Sequence, residues 1–353
     1  MSTSNKNRLL TYSQAILEGT QQEMLRDDNV FVMGQGVDDF KGTVGTTIGL
    51  HEEFGAKRSF DVPVAEEGML GVAIGAALSG LRPINVHIRF DFIMVCMNQL
   101  INMAAKSHYM FGGSVNVPLV IRGAIGRSWG QGAQHSQAFH SYFMHIPGLK
   151  VVAPALASDA KGAIISAIRD NNPVVFVEHR MLYNLKERVP EESYISEIGK
   201  ARVLQSGQDI TIVGISHMVI ESLRAYKHLK EKGISAEIID PIWLSPLDID
   251  TIAKSVEKTG RLLVVDNAWL NCGASAEIAM QVIERLQGYK DIKVERAGYA
   301  ETPCPTTKSL ENLFYPNSST IASQAFNMVN PNSESWIPVG EEAEEIAKFK
   351  GPF

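Results

Sequence analysis

The chain has 353 residues, of which 45% are apolar, and a net charge of −6. This length exceeds one ordinary hydrophobic core and predicts two domains. The acidic balance argues against a nucleic-acid-binding surface, and no apolar run reaches the roughly 18 residues that are needed to cross a membrane.

The three cysteines, Cys96, Cys272 and Cys304, lie far apart in the chain. They match neither a disulfide framework nor a metal-binding spacing. The first eight residues lack the apolar core of a secretory signal. Together these features predict a cytoplasmic protein with reduced thiols.

Helical and strand-like patterns alternate along the first half of the chain. Helices are predicted over residues 13–26, 69–79, 94–110 and 158–169, and strands over residues 30–33, 83–88, 118–122, 150–152 and 173–178. Short apolar runs between helices of roughly ten or more residues are typical of βαβ units and a mostly parallel sheet. We therefore predict a first α/β domain over residues 1–185.

Charged and turn-forming residues then predict a linker over residues 186–204. A second alternation predicts another α/β domain over residues 205–330. Its strands are expected at residues 209–214, 236–239 and 261–265, and its helices at residues 218–231 and 274–285. The tail, residues 331–353, is expected to be a loosely attached helix or a disordered end.

The most informative segment is Asp61-Val-Pro-Val-Ala-Glu-Glu-Gly-Met-Leu-Gly71. Here Glu66 and Glu67 stand where an extended stretch turns into a helix with glycines on one face, so another backbone can approach closely. A poorly solvated acid at a helix start needs a fixed hydrogen-bond partner, such as a ring nitrogen of a cofactor. The alternative interpretation is an acidic first turn that complements the helix dipole.

Five motifs occur together in the chain. They are the Glu-x-Gly pattern at Glu66, the helix from Asn98 to Gly113, Pro118-Leu-Val-Ile-Arg-Gly123, Gly132-Ala-Gln-His-Ser-Gln137, and Ala167-Ile-Arg-Asp-Asn-Asn-Pro173. In their order and spacing, over about residues 10–316, the chain resembles the beta subunits of the thiamine-diphosphate-dependent 2-oxo acid dehydrogenases, the pyruvate and branched-chain enzymes. The resemblance implies a thiamine pyrimidine-binding parallel-sheet domain followed by a transketolase C-terminal-like α/β domain.

The resemblance also implies an activity and partners. The chain would pair with an alpha subunit as an α₂β₂ assembly, decarboxylate a 2-oxo acid and transfer the acyl group to a lipoyl group on a separate acyltransferase. Pyruvate is the default substrate, because the segment that ends at Gly113 looks more like the pyruvate branch. The chain alone would be inactive.

Site residues follow from the same resemblance. Glu66 would be the acid that bonds to N1′ of the thiamine pyrimidine and drives it toward the imino tautomer that forms the ylide, with Glu67 a solvated or helix-capping neighbour. Phe92 matches the aromatic that packs on the pyrimidine, and Ile88 belongs to the same cofactor-binding set. His135 matches the active-site histidine near the substrate and the lipoyl arm.

Two metal ions are also implied. Thiamine enzymes hold Mg²⁺ and diphosphate through a Gly-Asp-Gly motif and a later Asn, since Mg²⁺ needs hard oxygen ligands. This chain contains no Gly-Asp-Gly, so the Mg²⁺ ligands are expected from the alpha subunit. A structural K⁺ would be held by Leu119, Ala167, Ile168, Asp170 and Asn172. The alternative interpretation of the last four is a helix C-cap.

Three features depart from the family pattern. Gln35 stands where these beta subunits carry an acid that lines a polar tunnel between paired active sites. His87-Ile-Arg89 replaces a near-neutral strand end, and Arg127 and Trp129 replace small residues. Arg89 and Arg127 are either surface or interface charges, or they recognise an extra anionic group on the substrate.

Two other functions remain open from the sequence. One is the C-terminal half of a split transketolase or a related sugar-metabolism enzyme, although its usual His-Asp-Gly pattern is absent. The other is a non-catalytic scaffold that kept the fold. The presence of Glu66, Phe92 and His135 argues against the scaffold.

Overall fold

The computed structural model describes residues 8–127, 130–287 and 291–339. They form two compact units, one of residues 8–126 and 142–198, the other of residues 127–141 and 199–339. Both units alternate strands and helices, so the two-domain α/β prediction is confirmed. Trp129 and the tail beyond residue 339 lie outside the described residues.

The elements up to residue 198 are numbered in chain order. They are β1 (Leu9–Thr11), α1 (Tyr12–Arg26), β2 (Val30–Gly34), α2 (Gly42–Gly45), α3 (Leu50–Phe54), β3 (Ser59–Asp61), α4 (Glu66–Leu78), β4 (Arg82–His87), α5 (Ala105–Met110), β5 (Val120–Ile125), α6 (His140–Met144), β6 (Lys150–Val152), α7 (Ala157–Arg169), β7 (Val174–His179) and β8 (Lys186–Arg188).

Six strands of the first unit are hydrogen-bonded in the order β6-β7-β5-β4-β2-β3. All of these pairs are parallel. Every residue of β2, β5 and β7 is buried, as expected when a parallel sheet is covered on both faces. Their carboxyl ends therefore meet at one edge, where ligands of open α/β sheets bind.

The first helix shows how local sequence fixes an element. Thr11 closes a capping box with Gln14 at the start of α1, which satisfies backbone N–H groups that have no partner in the helix. Tyr12 and Ile16 lie on the buried face of α1, and α1 packs against α7. An antiparallel pair of β1 and β8 joins the start of the predicted linker to the first unit.

A buried ion pair lies within the sheet of this unit. Arg122 Nε and Nη2 donate to the two carboxylate oxygens of Glu178 at 2.7 and 2.9 Å, and the Tyr183 hydroxyl donates to Glu178 Oε2 at 3.0 Å. Arg122 is fully buried. The bidentate geometry and the added hydroxyl are the conditions under which a buried ion pair is tolerated.

The elements from residue 199 continue the numbering. They are β9 (Arg202–Gln205), β10 (Ile210–Gly214), α8 (His217–Glu231), β11 (Ala236–Asp240), β12 (Trp243–Ser245), α9 (Ile249–Thr259), β13 (Arg261–Trp269), α10 (Ala274–Leu286), β14 (Lys293–Tyr299), α11 (Lys308–Phe314) and α12 (Ser318–Val329).

The second unit is built on the strand order β14-β13-β10-β11-β9. Only β9 runs antiparallel to its neighbour. Apolar side chains of β10, β11, α8 and α12 form its core. Trp336 of the predicted tail packs on Phe326 with ring centroids 5.2 Å apart, so the tail is attached at least as far as this residue.

The helix predicted over residues 94–110 is interrupted. A 3₁₀ segment spans Phe90–Cys96, a π-helical segment spans Gln99–Ala104, and regular helix is restored in α5. A π-helical segment changes the direction of the side chains that follow it and often occurs near a functional site. None of the described helices is both long and apolar enough to span a bilayer.

Replacing Arg122 tests the buried pair. Arg122→Met should destabilise the protein by roughly 3–5 kcal/mol, because Glu178 would stay buried without its counter-charge. The double variant Arg122→Met/Glu178→Met should recover most of that loss. Urea unfolding followed by circular dichroism measures both, and a single variant as stable as the parent would contradict this role.

Candidate active site

Glu66 is the first residue of α4, and no side chain caps this helix start. The half-buried Gln35, which directly follows β2, donates from Nε2 to Glu66 Oε1 at 3.0 Å. Among the described residues, Glu66 Oε2 takes part in no hydrogen bond. Gln35 therefore fixes the carboxyl group and leaves one oxygen for another partner.

The hydrogen bond to Glu66 gives Gln35 a role. From the sequence, Gln35 was only a departure from the family pattern, in which an acid stands at this position. Its backbone N–H donates to the carbonyl of Val86 at 3.2 Å, so β4 holds Gln35 in place. An amide at this position can donate a hydrogen bond but cannot exchange a proton at neutral pH. Gln35 therefore acts as a fixed donor to Glu66, and it cannot serve as a proton relay.

His87, the last residue of β4, lies close enough to Glu66 for the carboxylate charge to act on it. Burial lowers the pKa of His87 to about 4, and the charge of Glu66 opposes this shift only partly. Neither ring nitrogen has a hydrogen-bond partner among the described residues. The imidazole is therefore neutral at physiological pH and has unused donor and acceptor positions.

Ile88 and Phe92 lie on either side of the turn that leaves β4. Ile88 is 37% exposed, and its Cδ1 is 3.7 Å from where a Cβ on Gly36 would lie. Phe92 is half-buried in the Phe90–Cys96 segment, which packs against α4. All three residues, Glu66, Ile88 and Phe92, thus belong to the first unit, where the segment that carries Phe92 packs against the helix that begins at Glu66.

These residues fit the pyrimidine half of a thiamine site. Glu66 offers a carboxyl oxygen with no partner, Phe92 offers a partly exposed aromatic ring, and His87 has two unpaired nitrogens. An acid that bonds to a ring nitrogen and an aromatic that packs on the ring are what such a ring requires.

His135 belongs to the second unit. It is half-buried, in a loop whose glycines lie against a neighbouring segment. A Cβ on Gly130 would approach the Thr306 carbonyl oxygen to 2.5 Å, and one on Gly132 would approach Thr306 Cγ2 to 2.7 Å. Both glycines also have positive φ angles, so this loop requires glycine at the two positions.

A buried pair anchors the other end of this loop. His140 Nε2 lies 2.9 Å from Asp266 Oδ1, and both side chains are fully buried. Asp266 Oδ2 accepts from the Ser275 backbone N–H at 3.2 Å. The pairing with Asp266 of β13 gives His140 the role of holding the His135 loop.

Arg127 is also bound within the second unit. Its guanidinium bonds to Asn312, lies 3.5 Å from Glu311 Oε2 and sits 5.5 Å from the centre of the Tyr315 ring. These contacts give Arg127 a structural role. Arg89 is different: it is 8% exposed and makes no hydrogen bond or ion pair among the described residues.

The five residues implied as K⁺ ligands lie at the opposite edge of the first sheet, at the amino ends of β5 and β7. The Leu119 carbonyl accepts from Val174 N–H at 2.9 Å. Arg82 Nη1 donates to the carbonyls of Ile168 and Asp170 at 2.9 and 3.1 Å. The Lys150 ammonium lies 2.9 Å from the Asp170 carboxylate, so two protein cations already contact this set.

The pH dependence of stability tests the burial of His87. Its pKa is about 4 in the folded state and about 6.5 in an unfolded chain, so the unfolded state takes up the proton first as pH falls. Stability should therefore be complete above pH 6.5 and decline toward pH 4, by roughly 3 kcal/mol from this residue.

The variant His87→Phe removes this titration. As pH falls from 6.5 to 4, the free energy of unfolding should decrease more in the parent than in the variant. Urea unfolding across that range measures this difference. A difference that is constant with pH would mean that His87 is solvated or paired.

Three comparisons with known proteins bear on this geometry. Residues 8–186 match the transketolase pyrimidine-binding domain, and residues 199–321 match the transketolase C-terminal domain. A solved structure described as a split gene transketolase, inactive beta4 tetramer, matches with a TM-score of 0.74 at 19% identity, over 91% of this chain and 99% of that chain. At this identity the match shows the fold alone.

Closer relatives share far more sequence. The pyruvate dehydrogenase E1 component subunit beta of Rickettsia bellii is 44% identical over 308 residues, which cover 87% of this chain and 95% of the relative. The acetoin:2,6-dichlorophenolindophenol oxidoreductase subunit beta of Cupriavidus necator is 42% identical over 328 residues, 90% of this chain and 97% of the relative. The resemblance noted from the motifs is therefore confirmed. The chain belongs to the family of the dehydrogenase E1 beta subunits, built from transketolase pyrimidine-binding and C-terminal domains.

Proposed function

We propose that the chain is the beta subunit of a thiamine-diphosphate-dependent 2-oxo acid dehydrogenase, which decarboxylates its substrate and passes the acyl group to a lipoyl group. The observation that carries the proposal is the arrangement at the start of α4. Glu66 is held on one carboxyl oxygen by Gln35, and the other oxygen has no partner among the described residues.

The chain's own residues would then act as follows. Glu66 Oε2 would hold the proton that faces N1′ of the cofactor pyrimidine, while Gln35 keeps the carboxyl group in one orientation. Ile88 and Phe92 support the ring. His135 holds a proton close to the substrate and the lipoyl acceptor. When bound, the cofactor supplies the nucleophilic carbon and the electron sink for decarboxylation.

The substrate is proposed to be a 2-oxo acid, with pyruvate as the default. One relative is named for pyruvate and another for acetoin, at 44% and 42% identity. Because these values are so close, acetoin is the second candidate. Turnover of the two compounds by the reconstituted enzyme, with an artificial electron acceptor, distinguishes them.

An alpha subunit is proposed as partner because the relatives are named as beta subunits. The glycine face of α4 is open: a Cβ added to Gly68, Gly71 or Gly75 would meet nothing within 4 Å. Large apolar side chains are exposed in the same unit, namely Val72, Val95, Met103, Tyr109, Met110 and Phe111. Such a surface fits a large permanent interface.

Both metal ions remain part of the proposal. Among the described residues there is no group of three or more His, Cys, Asp or Glu side chains placed to hold a metal, and we propose that the alpha subunit provides the Mg²⁺ ligands. For K⁺, the proposed ligands are carbonyls and a carboxylate from Leu119, Ala167, Ile168, Asp170 and Asn172. Each carbonyl oxygen has two lone pairs, so a hydrogen bond from Arg82 still leaves one for an ion.

The split-transketolase alternative is less well supported. The solved structure of that kind is only 19% identical, whereas the pyruvate dehydrogenase and acetoin oxidoreductase beta subunits described above are 44% and 42% identical. Sugar donors would be turned over by the two-chain enzyme if the alternative were right.

Glu66→Gln tests the proposed acid. In the reconstituted two-chain enzyme, H/D exchange at the cofactor C2 should slow by at least about 100-fold, the usual effect of losing a positioned acid–base group. Glu67→Gln is the matched control, since Glu67 is exposed and bonds to Gln99. Exchange at the parental rate in Glu66→Gln would refute the assignment.

Expression without a partner tests the two-chain proposal. The isolated chain should self-associate and bind thiamine diphosphate only very weakly, because its apolar surface is uncovered and it has no Gly-Asp-Gly motif. Co-expression with the matching alpha chain should restore solubility, cofactor binding and turnover together. Calorimetry on the isolated chain is decisive: Mg²⁺-dependent binding in the micromolar range there would show a complete site within this chain.

A further inference from the structure

Two arginines follow the carboxyl ends of neighbouring strands in the first unit. Arg89 lies two residues after β4, and Arg180 directly follows β7, with β5 between them in the sheet. Arg180 Nη1 donates to the carbonyl of Gly126, the residue after β5, at 2.7 Å. Both guanidinium groups therefore lie at the edge of the sheet that also carries Ile88.

Both arginines are buried: 8% of Arg89 and 4% of Arg180 are exposed. They are close enough for the charge of Arg180 to disfavour the charge of Arg89. Burial is the larger cause, and together the two lower the pKa of Arg89 to about 10, although the Asp91 carboxylate acts in the opposite direction. The Arg180 guanidinium and the Asp91 carboxylate thus both lie near enough to act on the charge of Arg89.

Arg122 shows what a structural buried arginine looks like in the same sheet. It makes two hydrogen bonds to Glu178 and is fully enclosed. Arg89 has no such bond among the described residues. Since a buried charge without a hydrogen-bonded counter-charge is strongly destabilising, an anion from a bound molecule would complete the surroundings of Arg89.

We propose that Arg89, with Arg180 beside it, binds a carboxylate at the far end of the substrate, so that the preferred substrate is a 2-oxo dicarboxylic acid. The inference rests on the proposed function and replaces its default substrate. A guanidinium fork pairs with a carboxylate through two parallel hydrogen bonds, and Arg180 adds a second positive charge.

The bound group is the distal carboxylate, which does not react. The carboxylate next to the 2-oxo group leaves as neutral carbon dioxide, so a cation held against it would stabilise the substrate more than the transition state. A distal carboxylate keeps its charge throughout the reaction. Arg89 directly follows Ile88 of the proposed cofactor set, so one strand end serves both the reacting centre and the far end of the substrate.

Steady-state kinetics of the reconstituted two-chain enzyme tests the proposal. Pyruvate is compared with 2-oxoglutarate and 2-oxoadipate, using an artificial electron acceptor. A dicarboxylic acid should have the higher kcat/KM. In Arg89→Met, the ratio of kcat/KM for the dicarboxylic acid to that for pyruvate should fall about 10- to 100-fold, mainly through KM, the usual effect of losing a charged hydrogen bond.

Two further variants support the comparison. Arg89→Lys keeps the positive charge but loses the two parallel hydrogen bonds of the guanidinium group. Its ratio of kcat/KM for the dicarboxylic acid to kcat/KM for pyruvate should therefore lie between the ratios of the parent and of Arg89→Met. Arg285→Met is the matched control, since Arg285 is an exposed residue of α10 paired with Asp250, and it should leave the ratio unchanged. If Arg89→Met does not assemble, competitive inhibition by glutarate in the parent and in Arg89→Lys gives the same comparison.

The outcomes separate this inference from the proposed function. Turnover of pyruvate with neither turnover nor inhibition by dicarboxylic compounds would overturn the inference and leave the function intact. An equal loss of kcat/KM for dicarboxylic acids and for pyruvate in Arg89→Met would also overturn the inference. That result would indicate that Arg89 pairs with an acidic side chain of the alpha subunit and not with the substrate. If no 2-oxo acid is turned over at all, the proposed function itself fails.

Discussion

The parallel pairing of β2, β4, β5 and β7 places four strand ends at one edge of the first unit. Neighbouring strands are about 4.8 Å apart, so this edge extends for roughly 14 Å. Gln35, Ile88 and Arg180 all leave the sheet along it. Residues that are far apart in sequence can therefore act on one ligand, and the packing of the buried strands holds them in place.

Polar side chains in the first unit differ in how many of their atoms have hydrogen-bond partners within the protein. Arg122 and Glu178 are joined by two hydrogen bonds, and this buried pair supports the fold, although Arg122 Nη1 has no hydrogen-bond partner among the described residues. Glu66 keeps one oxygen without a partner, and His87 keeps both ring nitrogens unused. Because the fold leaves Glu66 and His87 incompletely hydrogen-bonded, both side chains can respond to a bound molecule.

Regular elements with a clear apolar period could be predicted from the sequence. The helix expected over residues 13–26 is α1, and the strand expected over residues 30–33 is β2. Six strands were missed, namely β1, β3, β8, β9, β12 and β14. The missed strands of three residues are too short to show a period, although β6, of the same length, was predicted from its apolar run, and β14 alternates buried and exposed positions only weakly.

The site was predictable where its residues are close in sequence or carry a motif. Glu66, Ile88 and Phe92 all lie in the first unit, and their place in one cofactor site stays a prediction. The partners of these and other side chains were not predictable, since they lie far away along the chain. Gln35 bonds to a residue 31 positions on, and Arg127 to one 185 positions on. Sequence could identify both only as departures from a pattern, because such contacts depend on the register of strands and loops.

The loop that carries His135 has a consequence for how the protein is made. It is synthesised between two parts of the first unit but packs in the second unit, where His140 meets Asp266, a residue 126 positions later. At about 5–20 residues per second, the ribosome needs roughly 6–25 s to produce that partner. During this interval β6 and β7 can already join the first sheet, while the loop that carries His135 still lacks its packing partner. The histidine segment is thus ordered only after most of the chain has emerged, so an incomplete chain cannot hold His135 in its final position.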